Sequence, residues 1–212
     1  MSNCFKFTSN PGFLLAKLTE EQLAPVWAEV NRIQQDWTQG IPGNSYLAGN
    51  IEKEFNIDST PAMPCVNEIL QPLVAEYVDV FDYAGVLQQL TTNVPLVVSD
   101  LWVNFQKKHE FNPPHNHSGV FSFVIWLKIP YLMADEIAAG PGNKGNAPQN
   151  GDFVLHYLDT TGVVRWHRMG ADRTRENHIL MFPNTMVHHV NPFYSSDDYR
   201  ITVAGNMKFL AR

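Results

Sequence analysis

VFSFVIWLKI, residues 120–129, is the stretch on which the reading of the fold turns. In an extended chain Phe121, Phe123, Ile125, Leu127 and Ile129 fall on one side and Lys128 on the other, as a strand requires. Upstream lies LVVSDLWVNFQ (96–106). Downstream come GDFVLHYL (151–158), GVVRW (162–166), HILMF (178–182) and YRITVAGNM (199–207). All are short β-rich runs divided by Pro, Gly and Asn clusters. Strands that follow one another without alternating helices predict an antiparallel sandwich or jelly roll, not a parallel α/β sheet. The segment AAGPGNKGNAPQNG (138–151) reads as a mobile surface loop between strands.

Before this region the periodicity is helical. In LTEEQLAPVWAEVNRIQQDW (18–37), Leu23, Trp27, Val30 and Ile33 recur at helical spacing, and Thr19 with Gln22 opens the run like a capping box. Ile69, Leu70, Leu73, Val74 and Tyr77 place a second helix within 66–90, and residues 39–64 read as a connecting loop with little regular structure. The expectation is a mainly β protein with N-terminal helices. Residues 1–92 form a mostly helical support whose Trp27 and Trp37 are core aromatics, and residues 93–212 form the β core of one domain spanning 1–212.

The chain has 212 residues, of which 44% are hydrophobic and 17% charged, enough for one packed core. Its formal net charge of -6 offers no basic field for nucleic acid, so an anionic ligand would have to be caught locally. No run approaches the roughly 18 apolar residues needed to span a bilayer, and the first residues lack a charged segment followed by an apolar one. Cys4 and Cys65 form no C-x-x-C pair and suggest neither a disulfide framework nor structural zinc. The expectation is a soluble cytoplasmic protein without nucleic-acid or membrane partners, and nothing in the sequence speaks to oligomeric state.

Four of the eight histidines occupy two tight groups. In PPHNHSG (113–119), His115 and His117 point to the same side of an extended segment, so two imidazoles can face one metal ion. In FPNTMVHHVNP (182–192), His188 and His189 face opposite ways, so at most one looks into the same cavity, and period alone does not choose between them. Arg200 shares a strand face with Thr202, Ala204 and Asn206. Were that face the inner one, the guanidinium would require an anion, either an internal acid such as Asp152 or a ligand carboxylate also held by the Thr202 hydroxyl.

These residues together resemble the Fe(II)/2-oxoglutarate oxygenases, and among them a prolyl-hydroxylase-related group frequent in bacteria and marine phages. The resemblance spans about 102–206. It rests on W-x-N at Trp102–Asn104, N-x-x-H-x-H-x-G at Asn112–Gly119, F-P-x-x-x-x-H-x-V-x-P at Phe182–Pro192 and R-x-T at Arg200–Thr202. It implies a double-stranded β-helix, the jelly roll shared with cupins. It also implies Fe(II) held by His115, His117 and His188, 2-oxoglutarate gripped by Arg200 and Thr202, and ascorbate in support. Matching F-P to H-x-V-x-P selects His188 over His189.

The implied activity couples O₂ and decarboxylation of 2-oxoglutarate to oxidation of a small molecule or peptide, peptidyl proline being one candidate by analogy, in a host cytoplasm if the source is a phage. His117 stands where the family usually carries Asp or Glu, which leaves Glu110 as an alternative ligand; Lys128 is the alternative to Arg200. Two other readings remain: a cupin-like metal protein that does not use 2-oxoglutarate, and a non-catalytic binding or virion-associated module.

Overall fold

The computed structural model describes residues 12–83, 87, 94–141 and 143–210. In chain order the elements are β1 (Leu14–Lys17), α1 (Glu20–Gln35), β2 (Ile41–Pro42), β3 (Lys53–Asn56), α2 (Ala62–Phe81), β4 (Leu96–Gln106), β5 (Asn112–His115), β6 (Phe121–Lys128), α3 (Met133–Ala139), β7 (Phe153–Leu158), β8 (Val164–Arg168), β9 (His178–Pro183), β10 (His188–Val190) and β11 (Arg200–Phe209). A seven-stranded sheet in the order β1-β9-β6-β11-β4-β3-β2 faces a four-stranded sheet in the order β5-β10-β7-β8. From β4 to β11 each connection crosses between the sheets except the β7–β8 hairpin. That alternation is the expected jelly roll.

Burial explains the strand pattern. One face of the large sheet, with Val103, Phe105, Phe123, Ile125, Ile201 and Val203, packs on Leu23, Val26, Val30 and Ile33 of α1 and Leu70 and Tyr77 of α2. The other face, with Val124, Trp126, Leu180 and Phe182, meets Phe153 and Leu155 of the small sheet. Strand β6 is therefore covered on both sides, which is why VFSFVIWLKI reads as a nearly unbroken apolar run. Helix α1 starts at the expected capping box: Gln22 N donates to Thr19 Oγ1 at 3.1 Å, and Thr19 N donates to Gln22 Oε1 at 2.9 Å.

Three expectations are corrected. Residues 39–64 are not an irregular loop: β2 and β3 extend the large sheet through β3–β4 pairing, and α2 starts at Ala62. The second helix, expected within 66–90, runs from Ala62 to Phe81 and so starts four residues earlier, and most of 84–93 lies outside the described residues. The segment 138–151 is anchored at both ends, because Ala138 and Ala139 close α3 while Asn150 and Gly151 are buried. Among the described residues no helix is long and apolar enough to cross a membrane.

Candidate active site

Strand pairing brings the histidines together. His188 on β10 lies directly opposite His115 on β5 across the small sheet. Strand β5 tolerates Pro113 and Pro114 because it is an edge strand and because its pairing with β10 shifts register opposite them, so the proline facing solvent and the one facing β10 each have a place for a missing N–H. Beyond β5, His117 N donates to Asn184 O at 3.0 Å and Asn184 Nδ2 donates back to His117 O at 2.8 Å, pinning the second histidine to the β9–β10 turn. Gly119 follows at φ 128°, and a Cβ there would lie 2.8 Å from Met207 O, so glycine lets this loop close against β11.

One ring nitrogen each from His115, His117 and His188 lies within 4.8 Å of the other two. The Nδ1 atoms of His115 and His188 sit 2.7 and 3.1 Å from the carbonyls of Pro113 and Met186. Donation from these nitrogens fixes the tautomer and leaves Nε2 with its lone pair free. Burial lowers the pKa of His115, although the Pro113 carbonyl opposes it. Burial, reinforced by His115, pushes His117 down to about 4 against the pull of Asp100. Burial and the same neighbour hold His188 well below the usual range. All three imidazoles are neutral at physiological pH, as ligation requires. His189 points to the opposite face, its Nδ1 2.7 Å from His156 Nε2.

The cavity beside the histidines is lined by Trp102, Asn104, Gln106, Asn112, Arg200 and Thr202, among others. Arg200 is 2% exposed and faces inward. Its Nε donates to Gln106 Oε1 at 3.1 Å, and Nη1 donates to Tyr131 Oη at 2.7 Å and to Gly151 O at 2.6 Å; Nη2 also bonds Gln106 Oε1. Every one of these acceptors is neutral. Asp152, the acid weighed as its partner, instead accepts from Arg168 at 2.7 Å. Among the described residues no carboxylate pairs with Arg200, so a rigidly held buried cation faces a cavity without a counter-ion. Four hydrogen bonds leave one of the five guanidinium N–H groups and the Thr202 hydroxyl for a ligand, a narrower grip than a full bidentate fork. The buried Oδ1 atoms of Asn104 and Asn112 have no partner either.

The alternative residues lie elsewhere. Glu110 accepts from Glu52 N at 3.0 Å and Lys107 N at 2.7 Å, and Lys128 pairs with Asp198 at 2.6 Å outside the cavity. Sequence reasoning missed Glu54, which is 1% exposed on β3 opposite Asn104. Burial, aided by the charge of Glu110, pushes its pKa up to about 7. A carboxyl whose folded pKa is raised contributes its full stability below the unfolded value near 4.5 and loses it as pH rises through about 7. Glu54→Gln is therefore expected to raise stability at pH 8 by on the order of 1–3 kcal/mol and to change little at pH 5. Thermal melts of both proteins at the two pH values check this; a melting-temperature difference independent of pH would count against it.

A family model described as "Putative 2OG-Fe(II) oxygenase" matches residues 100–206, just over half of the chain, where 2OG stands for 2-oxoglutarate. The chain belongs to this oxygenase family. The match runs from within β4 to within β11 and includes both histidine groups. Among solved structures, a Pseudomonas putida prolyl-4-hydroxylase aligns with TM-score 0.52 at 13% identity over 94% of each chain. AviO1 from Streptomyces viridochromogenes Tue57 aligns with TM-score 0.56 at 16% identity over 95% of this chain and 91% of its own. The viral collagen prolyl hydroxylase of Paramecium Bursaria Chlorella virus-1 aligns with TM-score 0.50 at 8% identity over 93% and 96%. These likenesses establish the shared fold. Among curated proteins none matches the chain by sequence.

Proposed function

We propose that this oxygenase hydroxylates an organic substrate by the overall reaction R–H + O₂ + 2-oxoglutarate → R–OH + succinate + CO₂, with His115, His117 and His188 as the iron ligands and Arg200 with Thr202 as the 2-oxoglutarate grip. The observation that carries the reading is the pairing, in one cavity, of three converging neutral imidazoles with a buried arginine that has no carboxylate of its own. The donor set suits a first-row divalent metal, since imidazole nitrogen is a borderline ligand for Fe(II). Bound iron would supply the activation of O₂ that no side chain can provide.

The protein's own residues supply orientation and exclusion of water. The carbonyls of Pro113 and Met186 hold two imidazoles in the tautomer that presents Nε2. Arg200, locked by Gln106, Tyr131 and Gly151, offers its remaining N–H to the far carboxylate of 2-oxoglutarate without further ordering, and Thr202 adds a hydroxyl on the same strand face. Phe153 stacks on His188 with ring centroids 5.5 Å apart and Phe182 meets it edge-on at 4.8 Å, so the metal side of the cavity is walled by aromatic rings. As three neutral ligands in place of the usual two histidines and one carboxylate, His115, His117 and His188 would leave the charge of a bound cation uncompensated, which would favour a dianionic cosubstrate.

Anaerobic titration with Fe(II) and then 2-oxoglutarate tests metal, cosubstrate and chelation together. A weak visible charge-transfer band should appear only when both are present, and air with ascorbate should then yield succinate. Iron binding without any effect of 2-oxoglutarate would favour the cupin-like reading, and failure to bind iron the non-catalytic one.

A further inference from the structure

A second cavity of about 260 Å³ opens on the other side of the histidines, sharing Trp102, His115 and His117 with the inner one. Its wall carries Tyr46, Asp100 and Lys208, and among the described residues these last two are the only lining side chains that bear a carboxylate or an amine. They are oppositely charged, 3.3 Å apart, and each is a little under half exposed. Both are placed by the strands that build the active site. Arg200, Thr202, Ala204, Asn206 and Lys208 alternate along one face of β11, so the strand sets a buried cation at the closed end of the barrel and an accessible one at the mouth. Opposite it, β4 carries a bulge: Asn206 pairs with Asp100 and Met207 with Val98, which leaves Ser99 as an extra residue. Bulges re-aim the side chains beside them. Here the Ser99 hydroxyl donates to Asp100 Oδ2 at 2.8 Å and lies 3.2 Å from Asn206 O, holding the carboxylate toward the mouth.

We infer that this outer cavity receives the substrate to be oxidised and that Asp100 and Lys208 select a small zwitterion of the free α-amino acid class. The inference rests on the oxygenase reading above. A half-exposed ion pair contributes little to stability, so a ligand that offers each member a new partner can part it at little loss. A free amino acid carries an ammonium and a carboxylate on one carbon, about the spacing of the Asp100–Lys208 pair, and can answer both charges at once. Trp102, 8% exposed with its ring 5.7 Å from that of His117, and Tyr46 provide aromatic surface for the rest of the molecule beside the histidines. The volume falls just below the roughly 300–1,000 Å³ of pockets for drug-sized ligands, a size that suits one amino acid. An internal residue of a peptide has neither charge and would set neutral amides against both groups.

The test uses the full chain loaded with Fe(II) and 2-oxoglutarate, presented with the free proteinogenic amino acids and with the N-acetyl, amide and doubly blocked forms of each. Binding is followed anaerobically by ligand-observed NMR and turnover by succinate release. At least one free amino acid should bind and raise succinate release roughly tenfold above the uncoupled rate, and its doubly blocked form should do neither. Asp100→Asn and Lys208→Gln should each raise the KM for that amino acid roughly tenfold, the loss of one charge-assisted contact. The pattern across half-blocked forms is the discriminating sign: Asp100→Asn should not weaken the N-acetyl form further, nor Lys208→Gln the amide form. Uncoupled succinate formation with no response to any free amino acid, or with blocked peptides as effective as free ones, overturns the zwitterion pocket and leaves the oxygenase reading standing. Absence of both the charge-transfer band and succinate overturns the two together.

Discussion

Arg200→Ala is expected to weaken 2-oxoglutarate binding by about one to two decades, the loss of roughly 1.5–3 kcal/mol from a charge-assisted contact, while leaving Fe(II) binding nearly unchanged. The separation follows from placement: Arg200 sits on β11 and His115 and His188 on the small sheet, so the substitution empties the carboxylate end of the cavity without touching an imidazole. It also strips a partner from Gln106, Tyr131 and Gly151, all buried, and folding stability should fall by about 3 kcal/mol. Two controls keep the result interpretable. Circular dichroism at the assay temperature confirms that the variant is folded. Thr202→Val removes only the accompanying hydroxyl and should give a smaller loss of 2-oxoglutarate affinity with little loss of stability. Arg200→Lys should rescue part of the affinity, since an ammonium restores charge but cannot rebuild the planar contacts to Gln106. Equal 2-oxoglutarate affinity in wild type and a folded Arg200→Ala protein would refute the assignment.

His188→Ala should abolish iron-dependent succinate formation, whereas His189→Ala should retain most of it. Each substitution deletes one imidazole from β10, at neighbouring positions, so damage to folding in general would strike both. Their surroundings differ. His188 is 5% exposed, faces His115 across the sheet and is enclosed by Phe153 and Phe182, while His189 shares a contact with His156 on the opposite face. Loss of a ligand should also appear as loss of Fe(II) affinity, measured by anaerobic titration without turnover. Comparable loss in two folded variants would sink the assignment of faces.

The β core was legible because its strands are buried, so that β6 and β9 read as nearly unbroken apolar, β-rich runs set between Pro, Gly and Asn clusters. The alternation of Arg200, Thr202 and Ala204 against Ile201 and Val203 was legible from the two-residue period of a strand, although only the packed sheets decide which face turns inward. Strands β1, β2 and β3 were missed because four residues or fewer carry too little periodicity, and β2 includes a proline. Their assignment depends on partners far along the chain, which no local pattern records. The cradle around Arg200 was illegible for a related reason. Gln106 comes from the end of β4, Tyr131 from the segment before α3 and Gly151 from the turn before β7, and nothing in any one of these stretches announces the other two. Gly151 in particular lies in a stretch whose composition says loop, yet its φ of 67° shapes the turn that aims its carbonyl at the guanidinium.

The order of the large sheet bears on how the chain can be assembled. Both of its flanks come from strands that precede the β core in the chain: β1 lies beyond β9 at one side, and β2 and β3 lie beyond β4 at the other. Leu14 pairs with Met181, so β1 emerges from the ribosome well before β9 and must wait for the long intervening stretch before it meets its neighbour. Such distant pairing slows folding, and it leaves the rims of the growing sheet open to other chains in the meantime. A fragment that begins at β4 would retain every residue assigned to iron and 2-oxoglutarate, yet it would carry two bare strand edges and an uncovered apolar face where α1 and α2 now pack. Self-association is the expected failing of such a fragment, because the N-terminal elements cover both strand edges and the apolar face that it would expose.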